Sequence, residues 1–292
     1  LTPVEWEADP ELEWCPPGHG DIYTALLASG LLDALLDKGY RYAMTANSDN
    51  LGAAPSARIA GWFAASGAPY APEMCRRTPA DVKGGHLAVR KSDGRIILRD
   101  TAQTPEDQMH YFTDQFRHPF FHTNNLWFDL KVLRDTLAER GGILGLPLIK
   151  NSKTVDPADS SSVPVIQLET AMGAAVEAFE GATAIEVPRS RFLPVKTTND
   201  LLLVRSDVYE VDDDGLLQMV PERACTVKLD PRFYKKIQDF EARFPNGVPS
   251  IKDAQSLTVE GDWTFGSGVV ATGEALVSQE GSPGRIADGA RI

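Results

Sequence analysis

Between Asp21 and Lys38, Ile22, Leu26, Leu32, Leu35 and Leu36 recur at helical spacing. The pattern predicts one amphipathic helix, with Asp21 capping its first turn and Gly39 stopping its last. A run of strand length, Tyr40 to Ala46, comes next and ends in the polar turn Asn47-Ser48-Asp49-Asn50. Leu87 to Val89 and Ile96 to Leu98 flank Ser92-Asp93-Gly94 as a hairpin, and Asp129 to Arg140 reads as a capped helix closed by Gly141-Gly142. A third helix is predicted from Gln167 to Phe179, with strands over Phe120 to Trp127, Leu146 to Lys150 and Ala184 to Val187. This alternation predicts an α/β fold with a mixed, mainly parallel sheet, whose ligands sit beyond the carboxyl ends of its strands.

After Phe244-Pro245-Asn246-Gly247 the pattern changes to short β-type steps, such as Ser256 to Val259, Trp263 to Phe265 and Gly268 to Val270, separated by glycines. The six-residue step from Val259 to Phe265 fits a small β-solenoid, and an antiparallel meander fits the same pattern equally well. The tail from Gly281 to Ile292 has no apolar period and is expected to be poorly ordered.

At 42% hydrophobic residues over 292 positions, the chain has enough apolar surface for a packed core, and one large domain with a small appendage is expected. Its net charge of −12 opposes binding to nucleic acid or to anionic membranes. No apolar run approaches the roughly 20 residues that span a bilayer. Cys15, Cys75 and Cys225 are too widely spaced for zinc pairs and too few for a disulfide framework, so a reducing, cytoplasmic setting is expected.

Four segments carry candidate chemistry. Pro16-Pro17-Gly18-His19-Gly20 precedes a helix start, where glycines admit a ligand to the backbone and free N–H groups suit an anion; a tight turn would give the same string. In Asn47-Ser48-Asp49-Asn50, a carboxylate flanked by amides at a strand end suits Mg²⁺, and an Asx turn is the plainer alternative. Arg189, Arg191 and Lys196 gather in an otherwise acidic chain, either to neutralise a bound anion or as a solvated loop. The amides Asn124 and Asn125, inside the aromatic run Phe121 to Trp127, suit sugar hydroxyls or structural hydrogen bonds. His110, His118 and His122 lack metal-ligand spacing and read as packing or surface residues, and Asp212-Asp213-Asp214-Gly215 reads as a turn. Nothing indicates a covalent nucleophile: the serine elbow, the His-Glu-x-x-His string and the Walker loop are all missing.

Taken in order, these strings resemble the eukaryotic-type UTP–glucose-1-phosphate uridylyltransferases. The matching segments are WCPPGHGDIYTAL (Trp14 to Leu26), SGLLDALLDKGY (Ser29 to Tyr40), NSDNLGA (Asn47 to Ala53), ADVKGG (Ala80 to Gly85), FHTNNLW (Phe121 to Trp127), VIQLETAMGAA (Val165 to Ala175) and VPRSRFLPVKTTNDLLLV (Val187 to Val204). The resemblance implies a nucleotide-diphospho-sugar transferase α/β domain over residues 1–225, lacking its N-terminal glycine-rich loop. A linker helix and a left-handed β-helix would follow over residues 226–292, and copies of the chain would assemble through that β-helix.

The implied reaction is Mg²⁺-dependent: UTP and glucose 1-phosphate give UDP-glucose and pyrophosphate. By the same resemblance Gly18 contacts the uridine end of the nucleotide and His19 the sugar phosphate. Asn47, Ser48 and Asp49 lie at the substrates, Asp49 also holding the metal, and Lys196 grips phosphate oxygens. Gly85 approaches the sugar through its backbone, and Asn124 reads a hydroxyl. His122 departs from the family's usual Asn. The family's glycine-rich loop belongs upstream of the Pro-Pro-Gly-His motif and does not occur here, so the chain is expected to be about the C-terminal two-thirds of the enzyme and inactive alone. Two alternatives stand beside this reading: a related pyrophosphorylase for galactose 1-phosphate or an N-acetylhexosamine 1-phosphate, and a noncatalytic nucleotide-sugar-binding module.

Overall fold

The computed structural model describes residues 2–78, 81, 84–101, 104–213, 215–278 and 283–292. Ala80, Val82 and Lys83 of the ADVKGG string, Asp214 of the acidic turn, and Gly281 and Ser282 of the tail lie outside the described residues. The chain divides into two units, Leu1–Asn47 with Pro55–Pro188, and Ser48–Ala54 with Arg189–Ile292. The expected boundary at residues 225 and 226 lies inside the second unit, whose core joins Leu202 and Val208 to Val227, Tyr234 and Leu257.

The first unit is built on a four-stranded sheet in the order Tyr42–Thr45, Phe120–Asp129, Tyr70–Arg76, Ile185–Glu186. Its first two pairings are antiparallel and only the last is parallel, which corrects the expectation of a mainly parallel sheet. Apolar periodicity marks a strand but carries no direction, and the long central strand runs against both of its neighbours.

Side chains alternate across this sheet. Tyr70 and Phe128, opposite each other, pack into a core with Leu32, Leu133 and Leu137, whereas the next pair, Ala71 and Trp127, packs with Phe63. Helices therefore cover both faces: Ile22–Ala28, Leu31–Asp37 and Leu130–Glu139 supply the first core, and Ala57–Ser66 supplies Phe63. This is a mixed α/β architecture. Each fully buried leucine such as Leu32 or Leu133 contributes about 1.5–3 kcal/mol.

Several local expectations hold. Asp129 caps Leu130–Glu139 by accepting from the Lys131 and Val132 amides. The hairpin forms as His86–Val89 and Ile96–Arg99. Two expectations are corrected. The single helix over Asp21 to Lys38 is two short ones, because Gly30 adopts a positive φ of 74° between them, and Asp21 makes no side-chain cap. The helix predicted over Gln167 to Phe179 is a strand, Pro164–Thr170, paired antiparallel with Leu148–Thr154, followed by a 3-10 segment over Met172–Ala178. Ile166 and Leu168 alternate with Gln167 and Glu169, so a period of two overrode the helical one.

In the second unit, helix Thr198–Arg205 begins with a capping box between Thr197 and Asp200. A hairpin of Tyr209–Val211 and Leu217–Met219 surrounds the acidic turn. Beyond it, Thr226–Leu229, Ala254–Glu260 and Gly273–Ser278 pair in parallel, as do Trp263–Phe265 and Gly284–Ile286. Single parallel bridges join Ser250 to Val270 and Val270 to Arg291. These pairings exclude an antiparallel meander. Leu257, Val259, Phe265, Val269, Ala275 and Val277 fill the interior. The tail expected to be poorly ordered is tied in where it is described: Gly284 N–H donates to the Asp262 carbonyl at 2.7 Å, and Ile292 N–H to that of Val270 at 2.9 Å.

Candidate active site

In the second unit the segment Ser48 to Ala54 and the string RSRFLPVK are stitched together. Val195 N–H donates to the Asp49 carbonyl at 2.8 Å, and Leu51 N–H to the Leu193 carbonyl at 3.0 Å. The buried Asn50 acts as a side-chain staple: its Oδ1 accepts from Leu193 N–H at 2.7 Å and from Gly52 N–H at 3.1 Å, while its Nδ2 donates to the Arg191 carbonyl at 3.1 Å. Gly52 lies against this clasp, since a Cβ there would come within 2.6 Å of the Arg191 carbonyl carbon and 2.8 Å of the Phe192 nitrogen.

The Asx turn foreseen as an alternative is thus made by Asn50, and Asp49 is left for other work. Its Oδ1 is buried and has no hydrogen-bond partner among the described residues. A buried anionic oxygen without a donor is costly unless something positive completes it, and a hard cation does so. Of the three basic residues, Arg191 donates to the Ala54 carbonyl at 2.5 Å and Arg189 lies over the Phe192 ring. Lys196 is exposed, and no carboxylate lies within ion-pair distance of it among the described residues. Its own amide donates to Asp200 Oδ2 at 3.0 Å, which fixes the backbone that carries the ammonium.

In the first unit Gly18 has φ 85°, and a Cβ there would meet the Thr170 carbonyl oxygen at 2.6 Å. The turn is locked by Thr170 N–H donating to the Pro17 carbonyl at 3.0 Å. Next to it, His19 Nδ1 accepts from Met172 N–H at 2.9 Å, so in the neutral ring the proton sits on Nε2. Desolvation, only partly offset by Glu169, lowers the His19 pKa and favours that neutral ring.

Asn124 is the non-glycine residue with positive φ among those described, at 64°, on the strand Phe120–Asp129. Such a conformation persists only where the surroundings enforce it. Here Asn124 N–H donates to His122 Nδ1 at 3.0 Å, and Asn124 Nδ2 to Asn47 Oδ1 at 2.8 Å. Asn124 Oδ1 and Asn47 Nδ2 then remain to accept from and donate to a hydroxyl. His122 N–H in turn donates to the Gly85 carbonyl at 2.7 Å, so His122 links Gly85 to Asn124. Burial, with His19 nearby, pushes the His122 imidazole down to about 4.

The neighbouring Asn125 has a structural role. Its Nδ2 donates to Glu73 Oε2 at 3.0 Å, and Trp127 Nε1 donates to Glu73 Oε1 at 2.9 Å, all inside the sheet. Of the two adjacent amides, Asn125 is thus committed to structural hydrogen bonds inside the sheet, and Asn124 is bonded to Asn47. Sequence reasoning did not single out Glu73, Asn50 or the Met172 amide. Period two gave a signal for Asn125 against Asn124, but the positive φ at Asn124 breaks that alternation.

Residues 1–271 match the model of the UTP–glucose-1-phosphate uridylyltransferase family. The chain belongs to this family. It is 43% identical over 284 residues to the UTP–glucose-1-phosphate uridylyltransferase of Solanum tuberosum, covering 96% of this chain and 57% of the relative, and 40% identical over 281 residues to that of Saccharomyces cerevisiae. Among solved structures, the S374W mutant of UDP-glucose pyrophosphorylase from Leishmania major in complex with UDP-glucose aligns with a TM-score of 0.88 at 45% identity, over 100% of this chain and 64% of that one. The UDP-glucose phosphorylase structure from Trypanosoma brucei aligns at 0.86, with 44% identity over 99% of this chain and 63% of that one. The chain thus spans a little over half the length of the curated uridylyltransferases it matches.

Of the residues expected at the site of a uridylyltransferase, Gly18, His19, Asn47, Gly85 and Asn124 lie in the first unit and Ser48, Asp49 and Lys196 in the second. Within the first unit the structure joins Asn47 to Asn124 and, through His122, Gly85 to Asn124. Within the second it joins Asp49 to the residue before Lys196. Ser48 is exposed.

Proposed function

We propose that the protein containing this chain transfers the uridylyl group of UTP to glucose 1-phosphate, forming UDP-glucose and pyrophosphate. A phosphate oxygen of the sugar phosphate attacks the α-phosphorus of UTP. The bond from that phosphorus to the bridging oxygen breaks, and pyrophosphate leaves. The attacking oxygen is already ionised, so no protein nucleophile or strong base is needed. What the site must supply is alignment and positive charge.

Lys196 would grip the nucleotide's phosphate oxygens, held by the Val195 N–H to Asp49 carbonyl bond and by its own amide's bond to the Asp200 carboxylate. Asp49 would hold Mg²⁺ through its buried, unpartnered Oδ1, a hard oxygen donor that fits this ion. When bound there, Mg²⁺ supplies charge against the phosphate oxygens. His19 would donate Nε2–H to the sugar phosphate, its tautomer set by the Met172 amide. Gly18 would receive the uridine end of the nucleotide, Ser48 would lie at the substrates beside Asp49, and Asn47, Asn124 and the Gly85 backbone would bind the sugar.

The parallel stacking of residues 259 to 277, 263 to 284 and 270 to 291 supports reading a small left-handed β-helix within residues 226–292, with Ile237–Arg243 as the linker helix. Copies of the protein would assemble through it. No helix among the described residues is long and apolar enough to cross a membrane, and we place the enzyme in the cytoplasm.

The observation that carries this reading is the buried Asp49 carboxylate oxygen on a backbone ladder that ends at a lysine with no ion-pair partner among the described residues. A coupled pyrophosphate-release assay on the natural protein tests it, with glucose 1-phosphate, galactose 1-phosphate and N-acetylglucosamine 1-phosphate in competition. Release that requires UTP and prefers glucose 1-phosphate is expected. Preference for another sugar phosphate would move the protein to a related pyrophosphorylase, and no release with retained UDP-glucose binding would leave a binding module.

A further inference from the structure

The strand Phe120–Asp129 is interrupted where it runs beside Tyr70–Arg76. Leu126 pairs with Pro72 and His122 with Met74, so Glu73 stands opposite the whole of Thr123 to Asn125. Bulges of this kind re-aim a side chain out of the ladder. Both flanks are tied to Glu73: Thr123 Oγ1 donates to its carbonyl at 2.8 Å, and Asn125 Nδ2 to its carboxylate at 3.0 Å. The middle residue, Asn124, with its φ of 64°, has its amide on His122 Nδ1 at 3.0 Å.

The imidazole cannot back away from that amide. Gly173 lies against it, where a Cβ would come within 2.8 Å of His122 Cε1 and 3.1 Å of its Nε2. This wall is fixed at the preceding residue. The Met172 carbonyl accepts from the Tyr23 hydroxyl at 2.9 Å and from the Tyr70 hydroxyl at 3.0 Å, and Met172 N–H donates to His19 Nδ1 at 2.9 Å. With Nδ1 accepting, the proton of the neutral His122 ring sits on Nε2, which is buried and has no hydrogen-bond partner among the described residues. The fold thus carries two unfavourable features side by side, a positive φ in a non-glycine residue and an orphaned buried donor. Such features persist where the surroundings enforce them, and they gather where a side chain has to be aimed.

We infer that His122 is a positioning residue for the sugar half of the substrate: its Nδ1, wedged under the Asn124 amide by Gly173, fixes the conformation in which Asn124 Oδ1 and Asn47 Nδ2 face a hexose hydroxyl together. The inference rests on reading Asn124 as a sugar contact. His122 touches no ligand itself, since its Nε2 is enclosed. Its Nδ1 does what an asparagine Oδ1 does in an Asx turn, accepting from the amide two residues on. What the position requires is therefore an acceptor on the δ atom, not a ring or a charge.

The test is isothermal titration calorimetry on the natural protein with Mg²⁺ present, comparing UDP-glucose with UDP, which lacks the sugar. His122→Phe keeps a ring but loses the acceptor. It should weaken UDP-glucose about tenfold, the size of one sugar hydrogen bond, and leave UDP within about twofold of wild type. His122→Asn restores an acceptor on the δ atom and should bring UDP-glucose back to within about twofold of wild type. Gly173→Ala drives a methyl into the imidazole and should cause the same selective loss, and the loss should vanish in the His122→Asn background, where the shorter side chain leaves room. Circular dichroism checks that each variant folds; should His122→Phe not fold, Gly173→Ala alone and combined with His122→Asn carries the decision. A merely structural role would weaken UDP and UDP-glucose alike, and that result, or UDP-glucose binding unchanged in both His122→Phe and Gly173→Ala, or a His122→Asn variant as weak as His122→Phe, would overturn the inference alone. A wild-type protein that binds UDP but not UDP-glucose would overturn the sugar reading first and the inference with it.

Discussion

The amide of Val195 donates to the carbonyl of Asp49 across 146 positions of sequence, at 2.8 Å. This bond makes one local structure of a carboxylate and a lysine that the sequence presents as separate motifs. Asn50 reinforces it from the next position, with one side chain serving both strings.

Replacing Lys196 by alanine should lower turnover of the natural enzyme about 10²-fold, the usual cost of removing one preorganised charge-stabilising donor. Lys196→Arg should recover part of it, since the charge remains while the geometry changes. Steady-state pyrophosphate release measures both, and an alanine variant within a factor of two of wild type would take Lys196 out of the mechanism.

Asp49→Asn keeps the shape but removes the charge from the buried oxygen. Mn²⁺ binding followed by electron paramagnetic resonance, with UDP-glucose present, should weaken at least tenfold. The same substitution should not lower the unfolding midpoint, because Asp49 Oδ1 holds no hydrogen bond in the fold. Unchanged Mn²⁺ affinity would leave Asp49 without a metal role.

The clasp itself is open to test by stability. Asn50→Ala leaves the Leu193 amide without its 2.7 Å acceptor and should cost about 2 kcal/mol in urea unfolding. Gly52→Ala drives a methyl into backbone atoms of Arg191 and Phe192, which cannot turn aside as a side chain would, and should cost about 1–3 kcal/mol. Loss of less than 0.5 kcal/mol in both would mean that the two strings are not held by these contacts.

Acid should destabilise the fold through its buried histidines. His122 is pushed down to about 4 in the folded state, whereas an unfolded histidine titrates near 6.5. Above pH 6.5 both states hold the ring neutral, and its contribution to stability is fully present. As pH falls from 6.5 toward 4 the unfolded chain takes up the proton and the folded one does not, so stability falls, and below 4 the loss levels off. Denaturation midpoints at pH 7 and pH 5 should therefore differ more for wild type than for His122→Asn. Equal pH dependence in the two proteins would remove His122 as a source.

Much of this molecule is written locally. The capped helix after Asp129, the hairpin about Asp93 and the strand before Asn47, observed as Tyr42–Thr45, depend on short-range hydrogen bonds and on the period of apolar residues, and the sequence determines them alone. The ordered motifs likewise determine the family. Strand direction, the break of the first helix at Gly30 and the strand at Pro164–Thr170 were decided by packing, because a short apolar run satisfies a period of two and a period near four alike. The same holds for the site. Sequence could nominate Asn124 and Asn125 together, but only the fold sends Asn125 to Glu73 and turns Asn124 to Asn47, since which partner a polar group meets depends on chain brought from far away.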